Sequence, residues 1–204
     1  MSITRNGSIM VQGASSSGIL SGSYGGLGAS VSPTTTGNVV FTTDGTSWSS
    51  TQKIVRGTTV ASTSGTAIDF TSIPSWVKRI TFMFSGVSTS GTANTIIQLG
   101  SGSAQTTGYL ATAGYTGTTQ GAVNATNGFV VHSGNAAEIQ SGILIITSLG
   151  SNLWVCSGSF KFSTTYAGFC GGDVTLSGTL DRVRLTTGNG TDTFDAGSVN
   201  IMYE

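Results

Sequence analysis

Four segments in the C-terminal part of the chain alternate apolar and polar residues with a period of two. In "SWVKRITFMF", Trp76, Ile80, Phe82 and Phe84 share one parity, and Arg79 and Thr81 the other, with Lys78 the discordant member of the apolar set. In "WVCSGSFKF", Trp154, Cys156, Phe160 and Phe162 oppose Val155, Ser157, Ser159 and Lys161. "DRVRLTT" places Val183 and Leu185 against Arg182, Arg184 and Thr186, and the chain ends with Val199, Ile201 and Tyr203 against Asn200, Met202 and Glu204. A strand sends successive side chains to opposite faces, so this period predicts half-buried β-strands. "NTIIQLG", "NGFVVHS", "EIQSGILIITSLG" and "GDVTLSG" are further strand candidates. Ile143 to Ile146 is apolar on both parities, which predicts a strand covered on both faces.

Turn signals separate these segments: "STSGTAN", "SLGSN", "TTYAGF" and "TGNGTD". "SIPSW" is a further turn, because Pro74 fixes its own φ and biases Ile73 away from helix. No segment combines a 3.6-residue apolar period with helix caps. Short strands with regular turn signals predict an all-β fold, and residues 66–204 suit a jelly-roll-like antiparallel β-sandwich. Ser101 to Gly128 reads as one long, polar, Gly/Thr-rich loop, and loops of that length are often functional.

The N-terminal part reads differently. Residues 1–32 are Gly/Ser-rich with scattered apolar residues such as Ile3, Ile9, Val11 and Leu20, which need a partner surface to become ordered. Residues 33–65 hold two short extended pieces, "NVVFTTDG" and "KIVRGTTVAS", around the turn "DGTSW". The expected organisation is an arm over 1–32, an extended neck over 33–65 and a β-domain over 66–204.

Composition narrows the function classes. The 204 residues include 31 Gly and 2 Pro, and only 8% are charged, against about 25% in an ordinary soluble domain. Eight basic and eight acidic side chains cancel. Such a chain has no electrostatic footprint for nucleic acid and no polybasic cluster for an anionic membrane. Ile143–Ile146, the longest apolar run, is far short of a membrane span, and "MSITRNGSIM" has no apolar core of a secretion signal. A near-neutral surface suits a protein that works assembled. Cys156 and Cys170 are the two cysteines. They are too few for a disulfide framework and, with one histidine, do not make a zinc site; reduced, buried thiols are expected.

Candidate chemistry is sparse. A Ser-His-Asp arrangement would have to use His132, the one histidine, but its place in "FVVHSG" favours a polar strand-end residue. Asp173, Asp181, Asp192 and Asp195 offer carboxylates for glycoside hydrolysis, with surface pairs and turn caps the favoured reading. "GNGTDTFDAG" lacks the ligand spacing of an EF-hand loop, and an irregular loop with Asx turns is expected. No phosphate-cradling glycine motif is present. The sequence therefore points to no catalytic residue, metal or cofactor. A sugar would need an aromatic face and orienting polar groups. Tyr109, Tyr115 and Tyr166 lie in turn-like segments and are candidates for a glycan site, with Gln105, Asn124 and Asn127 near the first two in sequence. The competing expectation is that these rings pack on the domain or on a neighbouring subunit.

"PTTTGNVVFTTDGTSWSS" resembles a short linker motif that recurs in tailed-bacteriophage fibre proteins. "GTAIDFTSIPSWVKRITFMFSGVSTSGTANTIIQLG" and "TLDRVRLTTGNGTDTFDAGSVNIMYE" are similar to the start and end of a C-terminal domain of phage tail fibres and related virion proteins. The resemblance covers residues 33–52 and 66–204. It implies a non-enzymatic virion protein, a homotrimer assembled in the host cytoplasm, with a distal β-domain binding host-surface polysaccharide or another virion protein. It further implies docking onto the tail or capsid through residues 1–50, and a neck in which Val39, Phe41 and Trp48 are buried between chains. An extended shaft and a coiled-coil heptad run, both usual in long tail fibres, are missing. A capsid decoration, cement or head-fibre protein is the alternative that the same resemblance allows.

Overall fold

The computed structural model describes residues Ile54–Glu204, apart from 133, 134 and 137, and the backbone of four short strands nearer the N-terminus. Those four form two hairpins. β1 (Ile3–Arg5) pairs with β2 (Ser8–Met10), and β3 (Asn38–Thr42) pairs with β4 (Trp48–Gln52). They belong to a first compact unit, Met1–Lys53; a second runs from Ile54 to Glu204.

The second unit is all-β and antiparallel among the described residues. Its strands are β5 (Val55–Arg56), β6 (Val60–Ala61), β7 (Ala67–Phe70), β8 (Arg79–Thr89), β9 (Thr95–Ser101), β10 (Ser103–Ala104) and β11 (Leu110–Thr116). Then follow β12 (Gly121–Ala125), β13 (Phe129–Val131), β14 (Gln140–Gly150), β15 (Leu153–Lys161), β16 (Ala167–Thr175), β17 (Arg182–Thr187) and β18 (Phe194–Tyr203). A wide sheet has the order β12-β11-β16-β15-β14-β8-β18-β5, with β6 also on β18. A narrow sheet has the order β10-β9-β17-β7, with β13 sharing the β10 edge of β9. The pairs β8–β18, β9–β17, β11–β16 and β14–β15 nest one inside another along the chain.

Both sheets turn apolar residues into one buried cluster. Ile80, Phe82, Leu144, Ile146, Val199 and Ile201 come from the wide sheet, and Ile97, Leu99, Val183 and Leu185 from the narrow one. Phe70 of β7 meets Phe82 of β8 edge-on, with ring centroids 6.1 Å apart. The alternation in β15, β17 and β18 places the expected residues inside. In the β8 segment it holds only from Arg79. Trp76 sits in the preceding turn, 47% exposed and packed on Tyr203, while Val77 is buried in its place. Lys78 is discordant because it precedes the strand and is exposed; its N–H donates to the Glu204 carbonyl at 2.8 Å.

Three expectations are corrected. Ser101–Gly128 is no single loop: it contains β10, β11 and β12, with Ala111, Ala113 and Tyr115 inward and Leu110, Thr112 and Thr116 outward. Ala, Gly and Thr carry little hydropathy contrast, so the alternation was hidden. The strands covered on both faces are β9, whose residues Thr95 to Gly100 are all buried, and the short β13. In β14, Ile143 is 48% exposed, because the outer face of the wide sheet is open. Finally, β5 and β6 fall within the stretch read as neck, yet they pair with β18. Asn200 holds this segment, donating to the Gly57 carbonyl at 3.0 Å and to the Thr59 hydroxyl at 3.1 Å.

Four glycines have aromatic cross-strand partners. Phe160 lies opposite both Gly142 and Gly168, Phe169 opposite Gly114, and Tyr115 opposite Gly121. In each case a Cβ on the glycine would run into the aromatic side chain. A ring covering a facing glycine restores the contact that the missing side chain would have made.

Candidate functional site

Tyr109 does not offer a face to a sugar. It is 1% exposed, and its ring packs edge-on against Phe129 with centroids 5.1 Å apart. Its hydroxyl accepts from the Leu99 N–H at 2.7 Å and donates to the Leu99 carbonyl at 3.3 Å. On this edge β9 pairs with β13 up to Ile97 and with β10 from Gly100, so the hydroxyl occupies the gap in the ladder. Burial pushes the Tyr109 pKa up to about 12, against the lowering effect of the Leu99 hydrogen bond.

Tyr115 and Tyr166, 51 positions apart in the chain, are brought together with His132, Phe160 and Phe162. Tyr115 and His132 stack at 4.4 Å with an interplanar angle of 6°, and Phe162 meets both edge-on. Tyr166 stacks on Phe162 at 5.3 Å, and Gly117 lies against its ring. Both tyrosines are half-buried, with ring faces engaged inside the cluster. The Tyr166 hydroxyl reaches the Thr118 and Thr119 hydroxyls, and these hydrogen bonds hold its pKa below the usual tyrosine value. His132 Nδ1 is buried with no hydrogen-bond partner among the described residues. Burial lowers the His132 pKa, and the charge of Glu138 opposes that shift.

A second place is built by loops. The β8–β9, β12–β13 and β17–β18 connections meet around a cleft of about 490 Å³. Asn94, Asn124, Asn127 and Asn189 line it, with Ile96 and Val130 beneath, and no charged side chain is among its lining residues. Hydrogen bonds tie the loops together. Gly188 N–H donates to the Asn94 carbonyl at 2.8 Å, and Asn127 Nδ2 to the Gly188 carbonyl at 3.1 Å. Gln98 Nε2 donates to the Asn127 carbonyl at 2.8 Å.

Asn189 and Asp192 fix the β17–β18 loop. Asn189 Oδ1 accepts from the Thr191 and Asp192 N–H groups at 3.0 and 3.2 Å, the Asx-type turn expected of this sequence. Asp192 accepts from Asn189 Nδ2 at 2.8 Å and from Ala93 N–H at 3.0 Å, and these bonds lower its pKa. Gly91 allows this approach, since a Cβ there would overlap the Asp192 carboxylate. Of these residues, Asn124 and Asn127 were picked out in the sequence as neighbours of the tyrosines. Asn94 and Asn189 were not, because Asn near Gly reads first as a turn residue.

The other candidates have separate duties. Asp181 accepts from Arg182 Nε at 2.8 Å and Gly102 N–H at 2.9 Å, and Asp195 bonds the Ser88 hydroxyl. Asp173 lies on the outer face of β16, opposite Val155 and Leu110. Cys156 and Cys170 are free, buried thiols on adjacent strands. Their mutual hydrogen bond, with burial, pushes the Cys156 thiol up. Among the described residues no group of His, Cys, Asp and Glu could hold a metal ion. Val39, Phe41 and Trp48 belong to β3 and β4, and their side chains lie outside the described residues, as does most of the arm over 1–32.

Compared with models of protein families, with curated proteins and with solved structures, the chain matches none of them.

Proposed function

We propose that this chain is a structural protein of a tailed-bacteriophage virion. In this reading it works as a non-enzymatic homotrimer, docked through residues 1–50, with the β-domain as a jelly-roll-like sandwich head that binds a host-surface glycan or another virion protein. The nested strand pairs are consistent with a jelly roll, which amounts to a long hairpin rolled upon itself.

The observation that carries the proposal is the open outer face of the wide sheet. One cross-strand row runs Met83, Ile143, Ser159, Phe169, Gly114, and the next runs Met202, Thr81, Ile145, Ser157, Gly171, Thr112. Phe169 is 61% exposed and Ile143 48%; the first row carries no charge, and the second meets Arg56 at its β5 end. Ile143 and Phe169, with the partly exposed Met83 and Ile145, make an apolar patch broken by serine and threonine, and exposed apolar patches mark surfaces that another chain covers. Copies of this chain suit it, because eight basic and eight acidic groups cancel and do not repel one another.

Sedimentation equilibrium of the full chain tests assembly: the expected mass is that of three copies, and Ile143→Asp with Phe169→Asp should reduce it to one. A monomeric wild type at micromolar concentration refutes the trimer. Quantitative mass spectrometry of purified virions encoding the chain tests its location. A few trimers per particle support a tail fibre, a copy number near that of the capsid protein supports a decoration protein, and absence from particles refutes the virion reading.

A further inference from the structure

We infer that the asparagine-lined cleft binds an uncharged, polyhydroxylated ligand, a neutral saccharide unit. This deepens the proposed function by naming a site and a ligand class for the β-domain, away from the aromatic cluster that the sequence pointed to.

The cleft offers hydrogen-bonding groups of both kinds. Asn124 uses its Oδ1 to accept from the Thr112 hydroxyl at 2.9 Å, leaving its Nδ2 donors directed to no partner among the described residues. Asn127 is the complement: Nδ2 is committed to Gly188, and Oδ1 remains an acceptor. Asn189 spends its oxygen on its own turn and one N–H on Asp192, and a second N–H remains. Side-chain amides presenting separate donors and acceptors match adjacent hydroxyls, each of which both donates and accepts.

The surroundings restrict the ligand further. An ionic ligand would find no counter-charge in the lining, since Asp192 faces Asn189 and Ala93. A flat aromatic ligand would find no ring to stack on, because no aromatic side chain lines the cleft. Ala93 and Ala125, both partly exposed, give the lining an apolar patch for the C–H side of a sugar. The site is held before any ligand arrives: hydrogen bonds join all three loops, and an ordered site loses less entropy on binding. Its volume of about 490 Å³ exceeds one sugar ring and leaves room for part of a chain.

The test is ligand-observed saturation-transfer NMR on the full chain. The probes are the methyl glycosides of glucose, galactose, mannose and N-acetylglucosamine. At least one is expected to bind in the millimolar range. Asn124→Ala should weaken that binding roughly tenfold or more while leaving the melting temperature unchanged, since Asn124 is exposed and its one bond is to a surface threonine. Tyr166→Ala should leave binding intact. Failure of all four probes overturns the inference. So does binding that survives Asn124→Ala, or binding that disappears with Tyr166→Ala, which would move the sugar to the aromatic cluster. Asn124→Ala should not alter recovery of the chain with virions, so the glycan site and the virion reading fail independently.

Discussion

Tyr109→Phe is the sharpest test of the structure. The substitution keeps the ring, its burial and its edge-on contact with Phe129, and removes only the hydroxyl. Leu99 is fully buried, and its N–H has its 2.7 Å partner in that hydroxyl, at the gap between β13 and β10. Leaving a buried N–H without a partner costs about 1–3 kcal/mol. For a unit of this size, about 2 kcal/mol lowers Tm by roughly 4–8 °C. The loss should be read from urea unfolding of the full chain at fixed protein concentration, followed by tryptophan fluorescence, with faster hydrogen exchange at Leu99. The same residue predicts an alkaline effect of known sign. Burial raises the folded pKa from 10.0 to about 12, so above pH 10 the unfolded chain releases a proton that the native state retains. Wild-type stability contributed by this group is complete below pH 10 and is lost as pH rises toward 12, a change of about 2–3 kcal/mol. The stability gap between wild type and Tyr109→Phe should therefore close between these values. A variant within about 0.5 kcal/mol of wild type at pH 7, or a gap of equal size at both ends, refutes the reasoning.

Two further outcomes are expected. Gln140 is fully buried beside Phe84, Val87 and Leu185, and neither of its amide atoms has a hydrogen-bond partner among the described residues; the same holds for the Thr95 hydroxyl nearby. Gln140→Met should raise the urea midpoint, with a gain of about 1–2 kcal/mol, and a lower midpoint would mean that the amide is satisfied. His132 has a folded pKa below its usual 6.5, so its contribution is complete above pH 6.5 and is lost as pH falls through the folded value. Glu138 tempers this effect. His132→Phe should flatten the fall in Tm between pH 7.5 and 5, and an unchanged slope would show that another group titrates.

The strands that were legible in the sequence are those with strong hydropathy contrast. In β15, Trp154, Cys156 and Phe160 alternate with Val155, Ser157 and Ser159, and the structure places them as the period demands. The segment from Ser101 to Gly128 was illegible for the opposite reason. Ala111, Thr112, Ala113 and Gly114 differ little in hydropathy, and what places them in a strand is pairing with β12 and β16, which sets Phe169 across from Gly114. The tyrosines of the candidate glycan site were legible only as tyrosines. Whether a ring is offered or packed depends on partners far away in the chain, and Leu99, His132 and Phe162 claimed them.

The sequence by itself determined the local terms: a period of two, the turns, the helix-free pattern and a surface short of charge. These depend on neighbouring residues and on chain-wide composition, so they are visible without a fold. The tertiary structure alone decided coverage and convergence. β9 is enclosed and β14 is open, although both are rich in isoleucine, because enclosure is set by which layer and loops lie above a strand. Asn94, Asn124, Asn127 and Asn189 each look like ordinary loop residues. Nested antiparallel pairing brings their loops to one place, and only there do four separate amides line a single cleft.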